Sequence, residues 1–196
     1  MDSPVAQVIT DHLMTTRLDV PRLLGVDGRS GSGKTHLAAA VADTLRQSSV
    51  SVTTVTMDDL YVGWEGLSAS LPRLCEGIID PLSTGRDGAY RRYDWEQGRL
   101  AEEVTVSATD VVIIEGVGAT THRCRSRFAL TVWVQASPPR RLTQACARRG
   151  QGDFAAHAQA WSAQEDALFG SDTYPRAPAG YDFVVEGPRI TTQIHD

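Results

Sequence analysis

Short apolar runs alternate with stretches of helical periodicity along most of this chain. The apolar runs predict strands at 22–27, 49–57, 111–115, 129–136 and 181–187. Apolar residues spaced by three and four positions predict helices at 35–46, from Pro138 to about 149, and at 153–169. Such alternation is typical of an α/β protein in which helices cover both faces of a parallel sheet. Ligands bind at the carboxyl ends of the strands in sheets of this kind.

Two further segments fall outside this alternation. Near the N-terminus, an amphipathic helix is expected to have one apolar side, formed by Val5, Val8, Ile9, Leu13 and Met14. After the second strand, a helical stripe consists of Leu67, Leu71, Leu74, Ile78 and Leu82. Pro72 and Pro81 leave the continuity of that stripe open, and 89–106 predicts a hairpin or small lobe. An insertion at about 60–106 would lie over the carboxyl edge of the sheet, where substrate-specific structure is expected.

Acidic residues follow three of the predicted strands. Asp27, Asp58 and Glu115 each lie at or next to the carboxyl end of a strand. Because the carboxyl ends of parallel strands meet at one edge, we expect all three acids to face the same rim of the sheet.

A glycine-rich loop between the first strand and the first internal helix carries the most specific motif. The sequence GRSGSGKT at 28–35 fits G-x-x-x-x-G-K-[ST], with the required strand before it and helix after it. Backbone N–H groups of such a loop hold phosphate oxygens, and the helix N-terminus adds its dipole. The candidate nucleotide-binding residues are Gly28, Ser30, Gly31, Ser32, Gly33, Lys34 and Thr35. The alternative is a glycine-rich turn that binds no ligand.

The chain has 19 lysine and arginine residues in total. Lys34 is the only lysine, and the other 18 are arginines. A compact ammonium can reach the β- and γ-phosphates within a tight loop, where the planar fork of arginine would not fit. Thr35 offers a hydroxyl to Mg²⁺. The loop therefore predicts a nucleoside triphosphate with Mg²⁺ as its ligand.

Charge is distributed unevenly around the net value of −5. The stretch 116–152 contains no acidic residue and seven arginines, so the rest of the chain is more acidic than the net charge shows. A basic segment on an acidic body favours a small polyanion over nucleic acid or a membrane surface as partner. The alternative is a solvated helix face.

Length and composition predict a single domain over 1–196 in the cytoplasm. No apolar run approaches the roughly 20 residues that span a bilayer, and the acidic N-terminus does not have the pattern of a signal peptide. Cys75, Cys124 and Cys146 are odd in number and lack the spacing of metal ligands. We therefore expect three buried or idle thiols in a reducing cytosol.

Several motifs together resemble the uridine kinase family, which has relatives acting on pantothenate, phosphoribulose and nicotinamide riboside. They are the glycine loop, DDLY at 58–61, YRRYDW at 90–95, VVIIEGVGA at 111–119 and the arginine-rich stretch at 140–149. The resemblance covers about 22–187. It implies a three-layer P-loop kinase fold with a five-stranded parallel sheet ordered 2-3-1-4-5, a small substrate lobe and an arginine-rich lid at about 138–155. It also implies transfer of the ATP γ-phosphoryl group to a hydroxyl of a small molecule.

The resemblance assigns roles to the acids. Asp58 corresponds to the residue that accepts the proton of the attacking hydroxyl, although Asp58 or Asp59 could instead cap the following segment. Glu115 corresponds to an acid that holds Mg²⁺ together with Thr35, and its alternative role is to start a helix. Lys34 and Arg148 are the expected catalytic cations.

The resemblance also suggests an acceptor site and a lid. Tyr93 and Asp94 match an element that contacts the acceptor, with Tyr61 and Arg99 as neighbours, and packing is the alternative for each. Arg141, Arg148 and Arg149 are expected to close over the phosphates. Arg149 replaces an acid of the family pattern, so the sequence does not determine the exact geometry of the lid.

The identity of the acceptor is less constrained. A histidine-containing stretch of uridine kinases is absent, because this chain has WEQGR at 95–99. A nucleoside is the first expectation, with a vitamin precursor or a sugar-like alcohol as alternatives. Two alternatives belong to other classes of protein. One is a regulatory ATPase, and the other is a degenerate relative that binds a metabolite without catalysis. Relatives often form homo-oligomers, but no heptad pattern indicates one here.

Overall fold

The computed structural model describes residues 4–15, 21–147, 154–171 and 180–192. Its strands are β1 Arg22–Asp27, β2 Val52–Thr56, β3 Gly88–Asp94, β4 Arg99–Val106, β5 Val111–Glu115, β6 Leu130–Gln135, β7 Phe183–Glu186 and β8 Arg189–Thr192. Its α-helices are α1 Pro4–Thr15, α2 Lys34–Gln47, α3 Leu67–Leu74, α4 Asp80–Leu82, α5 Pro138–Cys146 and α6 Phe154–Phe169. Within these ranges no helix combines the length and apolar character needed to cross a membrane.

The central sheet has the order β2-β5-β1-β6-β7-β8. Its first five strands are parallel. Because β3 and β4 form a separate sheet, β5, β6 and β7 are the third, fourth and fifth strands of the parallel sheet, and the predicted 2-3-1-4-5 order is confirmed. The sheet also carries a sixth strand that the sequence pattern does not predict, because β8 pairs antiparallel with β7. Glu115 pairs in register with Val26 of β1 and with Thr56 of β2. The carboxyl ends of the three strands that precede the candidate acids therefore meet at one edge.

Alternate residues of the central strands point to opposite faces of the sheet, as the period of a strand requires. Leu23, Val112 and Ile114 pack in a core with α3 and α6. Leu24, Val111 and Ile113 pack in a second core with α1 and α2. The predicted arrangement of helices on both faces is thus confirmed.

The apolar face of α1 differs from the predicted one. Its buried apolar residues are Val5, Ala6, Ile9 and Leu13, whereas Val8 is 43% exposed and Met14 is 38% exposed. Each residue of an α-helix is rotated by about 100° from the one before it. Val8 and Met14 therefore lie on the two flanks of the stripe that Val5, Ile9 and Leu13 define.

The insertion between β2 and β5 consists of a helical run and a hairpin. The run stays helical across both prolines, because a π-helical turn at Cys75–Ile79 connects α3 to α4. Strands β3 and β4 pair antiparallel, with a register shift between Arg91 and Tyr93. The predicted hairpin at 89–106 is therefore present.

The expectation of three idle thiols is wrong for two of the cysteines. Cys75 and Cys124 form a disulfide, with their Cα atoms 5.7 Å apart, and Cys146 is free and exposed. The disulfide connects the π-helical turn to the 3₁₀ segment His122–Arg127. Cysteine number and spacing could not predict it, because the pairing depends on how the insertion packs on the sheet.

Candidate active site

The glycine loop curls tightly between β1 and α2. Gly28, Gly31 and Gly33 have φ values of 144°, 74° and 104°, in a region that side chains other than glycine rarely adopt. A Cβ atom at Gly31 would lie 1.9 Å from the carbonyl oxygen of Arg141. Glycine at this position therefore allows α5 to lie directly against the loop.

Two polar side chains of the loop are buried. Lys34 is 3% exposed, and its ammonium donates a hydrogen bond to the carbonyl oxygen of Arg29 at 2.9 Å. The hydroxyl of Ser32 is buried and has no hydrogen-bond partner among the described residues. An unsatisfied buried hydroxyl is costly, so this loop fits a ligand with acceptor oxygens, such as a phosphate chain.

Thr35 and Glu115 face each other across the edge of the sheet. The Thr35 hydroxyl lies 3.2 Å from both carboxylate oxygens of Glu115. Burial raises the pKa of Glu115, and the nearby Lys34 ammonium opposes that shift. The pair presents two oxygen ligands beside the loop, which is the donor type that Mg²⁺ prefers.

Asp27 lies at the same edge of the sheet as Glu115, and hydrogen bonds from the neighbouring loops occupy its carboxylate. Its buried carboxylate accepts hydrogen bonds from the N–H groups of Gly28, Gly118 and Thr120, at 2.7, 3.0 and 3.0 Å. It also accepts one from the Thr120 hydroxyl at 2.8 Å. Asp27 therefore fastens the glycine loop to the segment that follows β5.

Asp58 and Asp59 have different surroundings. The indole N–H of Trp95 donates to the backbone oxygen of Asp58 at 2.9 Å, and Asp58 lines a cleft beside the loop. The carboxylate of Asp59 instead accepts a hydrogen bond from the Tyr90 hydroxyl at 3.0 Å. Burial raises the pKa of Asp59, and the bond to Tyr90 opposes the shift. Of the two acids, Asp58 is the one placed to meet a ligand.

We call this first cleft the acceptor cleft. It is lined by Ser30, Asp58, Tyr61, Trp64, Trp95, Ala145, Phe154 and Trp161. The Tyr61 hydroxyl is already engaged, because it donates to the carbonyl oxygen of Val117 at 2.8 Å. Burial raises the pKa of Tyr61 well above its ordinary value, so the phenol stays neutral. The cleft thus combines one carboxylate, one loop hydroxyl and five aromatic rings.

The other predicted acceptor-site residues lie outside this lining. Tyr93 is buried and packs edge-on against Trp95, with ring centroids 5.1 Å apart. The Asp94 carboxylate accepts hydrogen bonds from the N–H groups of Glu96 and Gln97 in the β3–β4 turn. Arg99 is exposed and donates to the Gln97 side chain. The acceptor roles of these three residues remain predictions, and their present contacts stabilise the hairpin.

Arginines line a second cleft on the other side of the loop. Arg29 and Arg141 border it together with Trp133, Val134, Gln135, Ala136 and Pro138. Arg141 also donates to the carbonyl oxygen of Ser30 at 3.3 Å. The predicted lid residues Arg148 and Arg149 lie outside the described residues.

Sequence reasoning missed the contribution of α6. Trp161 lines the acceptor cleft and donates to the Ser30 hydroxyl at 2.9 Å. Glu165 accepts the Ser30 N–H at 2.7 Å. The only signal in the sequence is that Trp161 and Glu165 are four residues apart and so share one helix face.

Comparisons with known proteins identify the fold. No protein-family model matches the sequence, and no curated protein matches it significantly. A possible uridine kinase from Bacillus stearothermophilus is 22% identical with a TM-score of 0.59, over 82% of this chain and 93% of that chain. D-glycerate 3-kinase from Cryptococcus neoformans is 16% identical with a TM-score of 0.60, over 96% and 99%. A protein from Silicibacter sp., provisionally described as a fructose transport system kinase, is 18% identical with a TM-score of 0.57, over 83% and 94%.

These similarities show that the chain has the fold of the uridine kinase-like P-loop kinases, as the glycine loop and strand order predict.

Proposed function

We propose that this protein is an ATP-dependent kinase that transfers the γ-phosphoryl group to a hydroxyl of a small molecule, with a nucleoside as the preferred acceptor. The observation that carries the proposal is that Ser30 of the phosphate loop and Asp58 line the same cleft. A kinase requires a phosphate-binding loop and a proton acceptor that face one space. Solved structures with the same fold are described as a possible uridine kinase, as D-glycerate 3-kinase and, provisionally, as a fructose transport system kinase.

The loop and its surroundings suit a triphosphate. Its N–H groups and the Lys34 ammonium would hold the phosphate oxygens, and Arg141 borders the cleft that would take the rest of the nucleotide. Thr35 and Glu115 would hold Mg²⁺, which supplies positive charge that neutralises the phosphates. Both residues are placed at one end of the loop, as such a role requires.

Asp58 would act on the acceptor. Its carboxylate accepts the proton of the attacking hydroxyl. The acceptor oxygen forms a bond to the γ-phosphorus as the bond from that phosphorus to the β–γ bridging oxygen breaks, so ADP leaves. Trp95 keeps the backbone of Asp58 in place for this step through its bond to the Asp58 carbonyl oxygen.

The walls of the acceptor cleft favour a flat and uncharged acceptor. Tyr61, Trp64, Trp95, Phe154 and Trp161 supply aromatic surfaces on which a planar ring can pack. Among the described residues the lining contains no arginine or lysine, so those residues offer no countercharge to an acceptor with a carboxylate or phosphate. A nucleoside meets both conditions, whereas a vitamin precursor or a sugar-like alcohol meets one or neither.

A thermal-shift screen tests the proposal. The protein is heated with Mg²⁺ and a non-hydrolysable ATP analogue in the presence of nucleosides, vitamin precursors, sugars and sugar acids. We expect nucleosides to raise the melting temperature most, and mass spectrometry of reactions with ATP to show the nucleoside with one added phosphoryl group. Lys34→Ala is the control that should abolish both signals. Slow ATP hydrolysis that no compound stimulates would favour a regulatory ATPase instead.

A further inference from the structure

Helix α6 holds one residue of the phosphate loop by two of its polar groups. The backbone N–H of Ser30 donates to a carboxylate oxygen of Glu165 at 2.7 Å. The hydroxyl of Ser30 accepts a hydrogen bond from the Trp161 indole at 2.9 Å. The remaining polar group, the carbonyl oxygen, accepts from Arg141 of α5. Ser30 is therefore fixed from three directions.

The preceding loop residue is held by the same helix. The guanidinium of Arg29 lies 2.6 Å from the Asp166 carboxylate and 3.6 Å from that of Glu165. It also lies 5.5 Å from the ring centre of Phe169, a distance at which a cation is attracted to an aromatic face. Arg29 thus joins the loop to α6 in this arrangement.

Glu165 lies at the centre of these contacts. It is 1% exposed, and besides the Ser30 N–H it faces Arg29 and Arg141, the latter at 3.9 Å. A buried ion pair is weak evidence of net stabilisation, because the cost of desolvation offsets the attraction between the charges. Such a group is better explained by the geometry it imposes than by the stability it provides.

We propose that Glu165 and Trp161 are positioning residues that hold the first half of the phosphate loop on α6. This inference rests on the proposed function. By fixing Arg29 and Ser30, they keep the following N–H groups and Lys34 in the geometry that a triphosphate needs. Because Trp161 also lines the acceptor cleft, the same helix connects the nucleotide site to the wall of the acceptor site.

Binding of a nucleotide analogue to variants of Glu165 tests this role without any acceptor. The probe is the Mg²⁺ complex of adenylyl imidodiphosphate, titrated by calorimetry. Glu165→Ala should weaken binding at least tenfold. Glu165→Gln keeps an oxygen for the Ser30 N–H but lacks the charge facing the arginines. Its affinity should therefore lie between those of Glu165→Ala and the wild type. Glu76→Ala is the matched control, because this exposed glutamate pairs with Arg123 and not with a residue of the loop, and it should change affinity less than twofold.

Trp161 provides a second readout. Trp161→Phe and Ser30→Ala each remove the same hydrogen bond. The double variant should therefore bind the analogue with the same affinity as whichever single variant has the lower affinity. The analogue should change tryptophan fluorescence in the wild type, and Trp161→Phe should abolish that change although Trp64, Trp95 and Trp133 remain.

The outcomes separate this inference from the proposed function. A wild-type protein that does not bind the analogue would contradict both. If the wild type binds, equal or tighter binding by Glu165→Ala overturns only the positioning role, and tighter binding would identify the carboxylate as a competitor of phosphate. If Glu165→Ala does not fold, Glu165→Gln decides the question: a loss of at least threefold supports the role, and wild-type affinity overturns it.

Discussion

The hydroxyl oxygen of Thr35 lies 3.2 Å from both carboxylate oxygens of Glu115, although the two residues are 80 positions apart. Thr35 belongs to the first turn of α2, and Glu115 ends β5. The contact therefore joins the phosphate loop to the end of β5, at the place where a divalent cation is expected.

The raised pKa of Glu115 predicts how nucleotide binding depends on pH. Mg²⁺ needs the ionised carboxylate, so affinity for the Mg²⁺ complex of the analogue should fall as pH is lowered from 8 to 5. The fall should begin at a higher pH than an ordinary glutamate would give. The terminal phosphate of the analogue also titrates in this range, so Glu115→Gln should bind weakly and show a shallower dependence, and an equally steep dependence in that variant would contradict the assignment.

The same shift predicts the opposite effect on stability. A carboxylate with a raised pKa binds its proton more tightly in the folded state than in the unfolded state. The contribution of Glu115 to the free energy of unfolding therefore decreases as pH rises through its folded pKa. At pH 8, without Mg²⁺ or nucleotide, Glu115→Gln should melt at a higher temperature than the wild type. A lower melting temperature would mean that the pairing with Lys34 outweighs burial.

Lys34 should not be replaceable by arginine. The ammonium is buried within the loop, and a guanidinium is broader and planar. We expect Lys34→Arg to weaken binding of the analogue about as much as Lys34→Ala does, by tenfold or more in calorimetry. Arg46→Lys, at the exposed end of α2, is the control for a basic exchange and should bind normally. Wild-type affinity in Lys34→Arg would show that charge alone is sufficient.

Trp95→Phe should slow transfer while leaving nucleotide affinity unchanged. The variant keeps an aromatic ring in the cleft but removes the N–H that bonds to the Asp58 carbonyl oxygen. A hydrogen bond of this kind is worth about 0.5–1.5 kcal/mol, which corresponds to a decrease in kcat of about two- to tenfold. Steady-state kinetics measure it, and an unchanged kcat would show that Asp58 does not depend on this contact.

The disulfide between Cys75 and Cys124 should stabilise the folded protein. It closes a loop across a sequence separation of 49, and bonds of this kind typically contribute about 2–4 kcal/mol. Denaturant unfolding under oxidising conditions should therefore show a loss of that size in the variant with both cysteines changed to alanine. Cys146→Ser should unfold like the wild type. If a reductant has no effect on the wild-type midpoint, the bond does not form in solution.

The sequence predicts those parts of the site that depend on local pattern. The glycine loop and the hairpin follow from short motifs and from periodicity, whereas the strand order follows from the resemblance to the uridine kinase family. The face of α1 was predicted only in part, because Val8 and Met14 lie at the margins of its stripe. Asp27 shows the limit of reading acids at strand ends, since a carboxylate there can serve backbone N–H groups of a neighbouring loop.

The contribution of α6 could not be predicted in this way. Glu165 and Ser30 are 135 residues apart, and no motif connects them. Their contact depends on how α6 packs over the carboxyl edge of the sheet. The same reason hides the disulfide, which requires the insertion to pack against the segment after β5.

The most direct test of the account compares phosphoryl transfer by Asp58→Asn and Asp59→Asn. Transfer from γ-labelled ATP to the best acceptor of the screen is measured, together with affinity for the ATP analogue. We predict that Asp58→Asn loses transfer but binds the analogue like the wild type. Asp59→Asn should keep most of its transfer, because that carboxylate is engaged with Tyr90. Full transfer by Asp58→Asn would contradict the central claim that this carboxylate receives the proton of the acceptor hydroxyl.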